Sequence, residues 1–276
     1  MSDPRASLLF ALADDELILG HRLSEWTGWV PYIEEDLALS SIAQDEIAHA
    51  RMLLEILSVI DGRDPDALAL GRQPGEYRNA ILCEQPNTDF AFTLARHWLY
   101  DHADDVRLRA LQESSFKELR EAVAIMLLEE RYHLEHADAW FRRLADGPVD
   151  ARHRFADALA NAMGMAEAIF EPLDNEDELV SEKALPVTSA EMRDAWRARI
   201  GGMLDQVGFD QVLAAHAEPA TGEMVPTSTG EMESESVSAP SKANGQGGRR
   251  GEHSEHFEPL WLEMTALYRA HPGATW

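Results

Sequence analysis

Glu46-Ile47-Ala48-His49 and Glu130-Arg131-Tyr132-His133 repeat one pattern, Glu-x-x-His, 84 residues apart. Residues three apart share a helix face, so on a helix each pair aims a carboxylate and an imidazole at one point. Such a pair suits a divalent metal ion. One copy is a weak signal, because both residue types are common on helix surfaces. An acid stands upstream of each copy: Glu16, 30 residues before Glu46, and Asp101, 29 before Glu130. The order acid, Glu-x-x-His, acid, Glu-x-x-His is that of four-helix carboxylate bundles holding two metal ions. The candidate ligand set is Glu16, Glu46, His49, Asp101, Glu130 and His133.

Four helices must bring these residues together. The first is expected over residues 3–27, where Leu9, Leu12, Leu19 and Leu23 recur at helical spacing and Glu16 falls on the same stripe. An acid on an apolar stripe is costly to bury without a partner, so Glu16 is either a ligand or outside the buried face. Glu25, beside Trp26 and Gly28, reads as a surface or turn contact. Pro31 suits the first turn of a second helix, which runs to about residue 60 and stops before Asp61-Gly62-Arg63-Asp64-Pro65. His49 alone would be an ordinary satisfied histidine; paired with Glu46 it reads as a ligand, while Asp45 and Arg51 are expected to point away.

Residues 61–86, rich in Gly, Pro and Asp, form the long crossover that separates ferritin-like bundles from simple up-and-down ones. Asn87-Thr88-Asp89 offers capping chemistry for a third helix carrying Phe90, Leu94, Trp98 and Asp101. Asp101 and Asp105 share a face and either could supply the acid; Asp101 mirrors the spacing of the first half. Ser115-Phe116-Lys117-Glu118 has capping-box form and opens a fourth helix that ends near Asp146-Gly147-Pro148. Glu129 competes with Glu130, but only Glu130 has the three-residue step to His133. His136 reads as a supporting or surface group rather than a third imidazole ligand. Further helices are expected over 151–170, 189–217 and 255–270. The fold expected is all-α, a ferritin-like four-helix bundle with additional C-terminal helices. Residues 1–218 form the bundle, 219–247 an acidic, Gly- and Ser-rich disordered linker, and 248–276 a C-terminal helix and tail that pack back on it.

Composition bounds what such a chain can do. It has 276 residues, 45% of them hydrophobic, with no run near the roughly 20 apolar residues of a membrane helix. The opening Met-Ser-Asp-Pro lacks a basic and then apolar signal, so the expected location is the cytoplasm. The single cysteine, Cys83, excludes a disulfide framework and a thiolate cluster, leaving oxygen and nitrogen to hold any metal. The net charge of -26 repels nucleic acid and anionic membranes, so neither is expected as a partner. Only Lys117, Lys183 and Lys242 are lysines. So acidic and lysine-poor a surface reads as adaptation to a salty, halophilic cytoplasm, with an ordinary acidic protein as the alternative.

The tail is the most specific stretch. Gly247-Gly248-Arg249-Arg250-Gly251-Glu252-His253-Ser254-Glu255-His256, then Pro259, Glu263-Met264 and His271-Pro272-Gly273-Ala274-Thr275-Trp276, resembles the C-terminus of the PaaC family, one component of the phenylacetyl-CoA epoxidase complex. The likeness extends to Glu25-Trp26, Glu35-Asp36-Leu37-Ala38-Leu39, Glu84-Gln85-Pro86-Asn87, Arg131-Tyr132-His133-Leu134 and Trp140. It covers nearly the whole chain except the 219–247 tract, which reads as an insertion.

The resemblance implies a ferritin-like subunit of a multicomponent monooxygenase that epoxidises the aromatic ring of phenylacetyl-CoA with O2 in phenylacetate catabolism. It implies a hetero-oligomer with a catalytic PaaA-like subunit, the other subunits and a reductase component. In that family PaaA carries the di-iron centre, and PaaC proteins commonly lack a full ligand set; this chain has one. The expected cofactor is di-iron, and manganese accepts the same ligands. By bundle geometry Glu16 and His49 would serve one ion, Asp101 and His133 the other, with Glu46 and Glu130 as bridges. The accessory role is the first expectation. A catalytically competent di-iron subunit and a ferritin-like protein handling iron or peroxide are the alternatives. His253 and His256, three apart, are expected to dock the tail rather than bind metal. The two arginines of the Gly-rich run are expected to pack a turn rather than contact CoA phosphates.

Overall fold

A computed structural model describes residues 3–30, 32–209, 211–212 and 245–274. Pro31, Thr275, Trp276 and all but the last three residues of the expected 219–247 linker lie outside the described residues, as does the expected end of the 189–217 helix.

The long helices are α1 (Pro4–Ser24), α2 (Ile33–Asp61), α5 (Phe90–Leu111) and α6 (Lys117–Ala145). Among the described residues there are no strands, and the fold is the expected all-α, ferritin-like bundle. Asp3 caps α1 and Pro4 stands in its first turn; Asp89 caps α5 by accepting from the Phe92 N–H at 2.8 Å. Gly62, at φ 85°, ends α2 in the left-handed conformation that costs glycine no Cβ clash. α1 lies along α2 and α5 along α6. Gly20 sets the first of these contacts: a Cβ there would lie 2.8 Å from Ile47 Cγ1 and 3.1 Å from the Ala43 carbonyl. The two backbones therefore approach closely one turn from Glu16 and beside Glu46.

The capping box expected at Ser115 does not form. The Ser115 hydroxyl donates to the Glu182 carbonyl, and the Phe116 N–H bonds Ser114 instead. A tertiary partner took the oxygen that a local cap needed. The crossover is also more structured than its composition predicts, holding two short helices, α3 (Pro65–Leu70) and α4 (Ile81–Glu84). Its Arg72 is buried, pairs with Asp14 and lies 4.0 Å over the Tyr77 ring.

Helices α7 (Val149–Glu167), α8 (Glu176–Ser181) and α9 (Ser189–Gln206) follow; α7 and α9 cover α5. Trp98 of α5 stacks on Phe141 of α6 at 4.3 Å, and the Trp196 indole donates to the Leu99 carbonyl. With α5 covered on these sides, its polar groups are sealed from water unless paired. The last helix, α10 (Phe257–Ala270), lies against the crossover, where the Trp261 indole donates to the Arg72 carbonyl.

The segment entering α10 is bound by buried charge rather than apolar contact alone. Arg249 pairs with Asp15 and donates to the carbonyls of Ala11, Arg78 and Ile169. Glu84, fully buried, accepts from the Ser254 N–H and holds His253 Nδ1 at 2.8 Å. Packing of the tail begins before residue 248, since the Gly247 N–H donates to Glu171.

Candidate metal centre

α1, α2, α5 and α6 each turn acidic or imidazole groups inward at mid-length. Glu16, Glu46 and His49 are fully buried, and Asp101, Glu130 and His133 are within 2% of it. His49 Nδ1 lies 3.4 Å from Glu16 Oε2 and 3.3 Å from Glu130 Oε1. His133 Nδ1 lies 3.2 Å from the same Glu130 oxygen and 3.7 Å from Glu46 Oε1. Glu130 thus stands between the two imidazoles, whose ring centres are 6.2 Å apart. Glu16, Glu46, His49 and Glu130 bring one ligand atom each within 4.8 Å of one another. Asp101 and His133 are outside that set; Asp101 Oδ1 lies 3.1 Å from His97 Nδ1.

These groups fit a divalent ion better than they fit one another. Glu16 Oε2, both oxygens of Glu46, Asp101 and Glu130, and Nδ1 of His49 and His133 are buried without a hydrogen-bond partner. An unpaired buried polar atom costs roughly 1–3 kcal/mol, so this many in one place describe a pocket built for a charge. Ligands held at about 2.1 Å by a six-coordinate ion lie roughly 3 Å apart, near the separations around Glu130. Without an ion, protons must balance the carboxylates. Burial works against charge on His49, but Glu130 and Glu16 outweigh it and its pKa rises to about 11. His133, also desolvated, is drawn up to about 10 by Glu130 and Asp45. Burial, with Glu16 and Glu130 adjacent, pushes Glu46 well above the carboxylate range; burial raises Glu130 too, but His133 and His49 overcome that and hold it below. The cluster of Glu16, Glu46, His49 and Glu130 could bind a metal ion.

Asp45, expected to point away, and Glu129, the competitor to Glu130, both touch the cluster. Asp45 Oδ2 holds His133 Nε2 at 3.1 Å, and Glu129 Oε2 holds His49 Nε2 at 2.8 Å. Each imidazole is gripped at its outer nitrogen by a carboxylate from the opposite helix, which fixes the ring and leaves Nδ1 free to ligate. Asp105, the alternative to Asp101, turns instead to Arg109 and Arg199. Asp104 was missed: it is fully buried, accepts from Arg107 through Oδ1 and leaves Oδ2 unpartnered. The Tyr100 hydroxyl donates to Glu16 Oε1 at 2.9 Å. Glu25 bonds Arg22 and Asn87 at the end of α1, a turn contact as expected.

A four-helix bundle with a long crossover and a buried carboxylate and histidine cluster at mid-length, one that could hold a metal ion, defines a ferritin-like protein. Within that class the chain belongs to the family of phenylacetic acid catabolic proteins, whose model matches residues 2–222. It is 30% identical over 266 residues, 96% of each chain, to the 1,2-phenylacetyl-CoA epoxidase C subunit of Escherichia coli (strain K12). The resemblance carried by the tail and the bundle motifs is thereby borne out. No helix among the described residues is long and apolar enough to cross a membrane.

Proposed function

We propose that this chain is a PaaC-like accessory subunit of a multicomponent oxygenase that epoxidises the ring of phenylacetyl-CoA, and that it carries a two-metal site of its own. The observation that carries the reading is the match to the Escherichia coli epoxidase component along 96% of both chains. Its expected partner is a PaaA-like catalytic subunit, with a reductase supplying electrons. Apolar side chains left in solvent on α2 and α6 support a protein partner: Ile33 and Leu37 are one turn apart, and Ile125, Leu128 and Tyr132 follow helical spacing.

Glu16, Glu46, His49, Asp101, Glu130 and His133 would hold the ions, with iron expected and manganese chemically acceptable. A reduced di-iron pair would supply O2 chemistry at this place. The chain's own contribution is to exclude water by burial, to fix both imidazoles through Asp45 and Glu129, and to set Glu16 through Tyr100. The four carboxylates Glu16, Glu46, Asp101 and Glu130 balance the charge of two divalent ions. That complete donor set favours a second reading, in which this subunit is itself catalytically competent.

Reconstitution with the partner subunits separates the two. Wild type and a Glu46→Ala, Glu130→Ala double variant are assayed for metal content, assembly and epoxidation. Retained assembly and turnover in a metal-free double variant supports the accessory role; lost turnover with intact assembly supports catalysis here. Failure of the wild type to assemble with its partners, or to change their activity, overturns both.

A further inference from the structure

Glu16 is joined to the C-terminal segment by a run of buried polar contacts that passes through α5. The Tyr100 hydroxyl lies 2.9 Å from Glu16 Oε1 and 3.1 Å from Arg107 Nη2. The same Nη2 donates to Asp104 at 2.6 Å, and Arg107 Nη1 donates to Asp15 Oδ2. Asp15 in turn holds Arg249, with 2.8 Å between Oδ1 and Nη1 and 2.7 Å between Oδ2 and Nη2. Asp15, Glu16, Tyr100 and Asp104 are fully buried, and Arg107 and Arg249 are within 6% of it.

The groups themselves fix the direction of these bonds. A guanidinium only donates, so the Tyr100 oxygen accepts from Arg107 and gives its single proton to Glu16 Oε1. Glu16 Oε2, buried without a partner and 3.4 Å from His49 Nδ1, is the oxygen left to face the cluster. Hydrogen bonds in a chain polarise one another in a dry interior, so the donor behind Tyr100 strengthens the bond in front of it. Arg107 is shared, however: Asp15 and Asp104, both buried, compete for its charge. Arg249 supplies the second cation. Burial raises the Asp15 carboxyl, but Arg249 and then Arg107 outweigh it and hold it below its ordinary value. Two guanidinium groups thus face two carboxylates, which lets Arg107 spend one N–H on a neutral phenol.

We propose that Arg249 is a positioning residue for Glu16, acting through Asp15, Arg107 and Tyr100, so that a metal ion in the cluster and the docked C-terminal segment stabilise each other. The inference rests on the metal-binding reading above, and needs only the group of Glu16, Glu46, His49 and Glu130 to take an ion. Arg249 stands 234 residues from Asp15 in the chain and is anchored on the carbonyls of Ala11, Arg78 and Ile169 as well. Its place therefore depends on the segment being docked. Coupling of this kind is reciprocal: what the segment adds to metal affinity, the metal adds to the docking of the segment.

The test uses the full chain, stripped of metal and titrated with cobalt(II) alone. Tyr100→Phe, which removes one hydroxyl, should weaken cobalt binding by about tenfold, and Arg249→Lys by about threefold or more. Adding Arg249→Lys to Tyr100→Phe should cause no further loss, because the connection is already cut. Arg250→Ala, at the exposed neighbour, should leave cobalt affinity unchanged. Unchanged affinity in Tyr100→Phe or in Arg249→Lys, an equal loss from Arg249→Lys in both backgrounds, or an equal loss in Arg250→Ala overturns the proposal and leaves the metal reading intact. A wild type that binds no cobalt overturns both. Should Arg249→Lys fail to fold, the reciprocal effect decides. Saturating cobalt should slow amide hydrogen exchange over residues 247–256 in the wild type and not in Tyr100→Phe; equal protection in the two, or none in either, overturns the proposal.

Discussion

Asp45 on α2 grips His133 on α6, with 3.1 Å between Oδ2 and Nε2, across the groove where Glu129 grips His49 in the opposite sense. Both carboxylates are partly in solvent, with side chains 35% and 44% exposed, so their removal leaves the fold intact and releases only the rings. Asp45→Asn and Glu129→Gln should each weaken metal binding by about 10- to 100-fold with little change in the metal-free melting temperature. Titration of the stripped protein with ferrous or cobaltous ion measures the first, and thermal melts the second. Equal affinity in the double variant would mean that these contacts are incidental.

A buried carboxylate facing two others is a burden to the fold. Glu46 is fully buried, has no hydrogen-bond partner on either oxygen and faces Glu16 and Glu130. Glu46→Gln should therefore raise the metal-free melting temperature by roughly 2–4 °C, the shift expected of ~1 kcal/mol in a chain of this size. The same change should abolish the added stability that metal confers, about 2.7 kcal/mol at a hundredfold excess over Kd in the wild type. Parallel melts with and without metal read both effects. A variant less stable without metal and equally stabilised by it would count against a metal role for Glu46.

Arg249 and Arg250 are neighbours with opposite fates. Arg249 is buried on Asp15 and three carbonyls, whereas the Arg250 side chain is 49% exposed beside Glu171. Arg249→Ala leaves buried Asp15 with Arg107 alone among its arginines and takes a donor from three carbonyls, and should cost ~2–3 kcal/mol; Arg250→Ala should cost at most ~1 kcal/mol. Arg249→Lys should not rescue, because one ammonium cannot reproduce the forked set of bonds. Urea melts give the energies, and limited proteolysis reports whether residues 245–274 detach. Equal costs at the two positions would refute the tail lock.

The buried cluster of Glu16, Glu46, His49 and Glu130 was legible because Glu-x-x-His reports a helix face directly, and the acids 30 and 29 residues upstream suggest the pairing of helices. Its supports were not. Asp45 sits one residue before Glu46, about 100° around the helix, which reads as outward until the neighbouring helix's imidazole is placed there; Glu129, weighed against Glu130, meets His49 in the same way. Asp14 and Asp15 are buried beside Glu16, and nothing local marks them, since their arginine partners stand 58, 92 and 234 residues away. Overall connectivity follows from periodicity and caps; buried charge pairing depends on contacts that only the folded chain supplies.

Asp138 gives the fold a pH dependence separate from the cluster around Glu130. Burial alone would raise its pKa, but bonds from His102 and the Trp98 indole, with Arg142 nearby, hold it below the ordinary carboxylate value. A depressed carboxyl contributes stability above its unfolded pKa, near 3.9, and loses it as pH falls through the lower folded value. Asp138→Asn should cost ~1–2 kcal/mol at pH 7, and its deficit should shrink as pH drops below about 4. Denaturant melts of both proteins across pH 3 to 7 follow the difference. A constant gap over that range would remove Asp138 from the account.

With a net charge of -26, long-range repulsion should oppose the compact state most strongly in dilute buffer. Raising ionic strength from about 0.1 to 1 M shortens the Debye length from about 10 to 3 Å and screens surface repulsion. Buried pairs such as Arg72 with Asp14 and Arg249 with Asp15 are shielded from salt by burial and keep their attraction. Salt therefore removes repulsion more than attraction, and the melting temperature should climb by several degrees in sodium or potassium chloride. Potassium chloride is a better probe than sulfate, which also strengthens apolar burial by exclusion from the surface. A melting temperature that stays flat or falls between 0.1 and 1 M, as order-of-magnitude limits on screening, would count against adaptation to a salty interior.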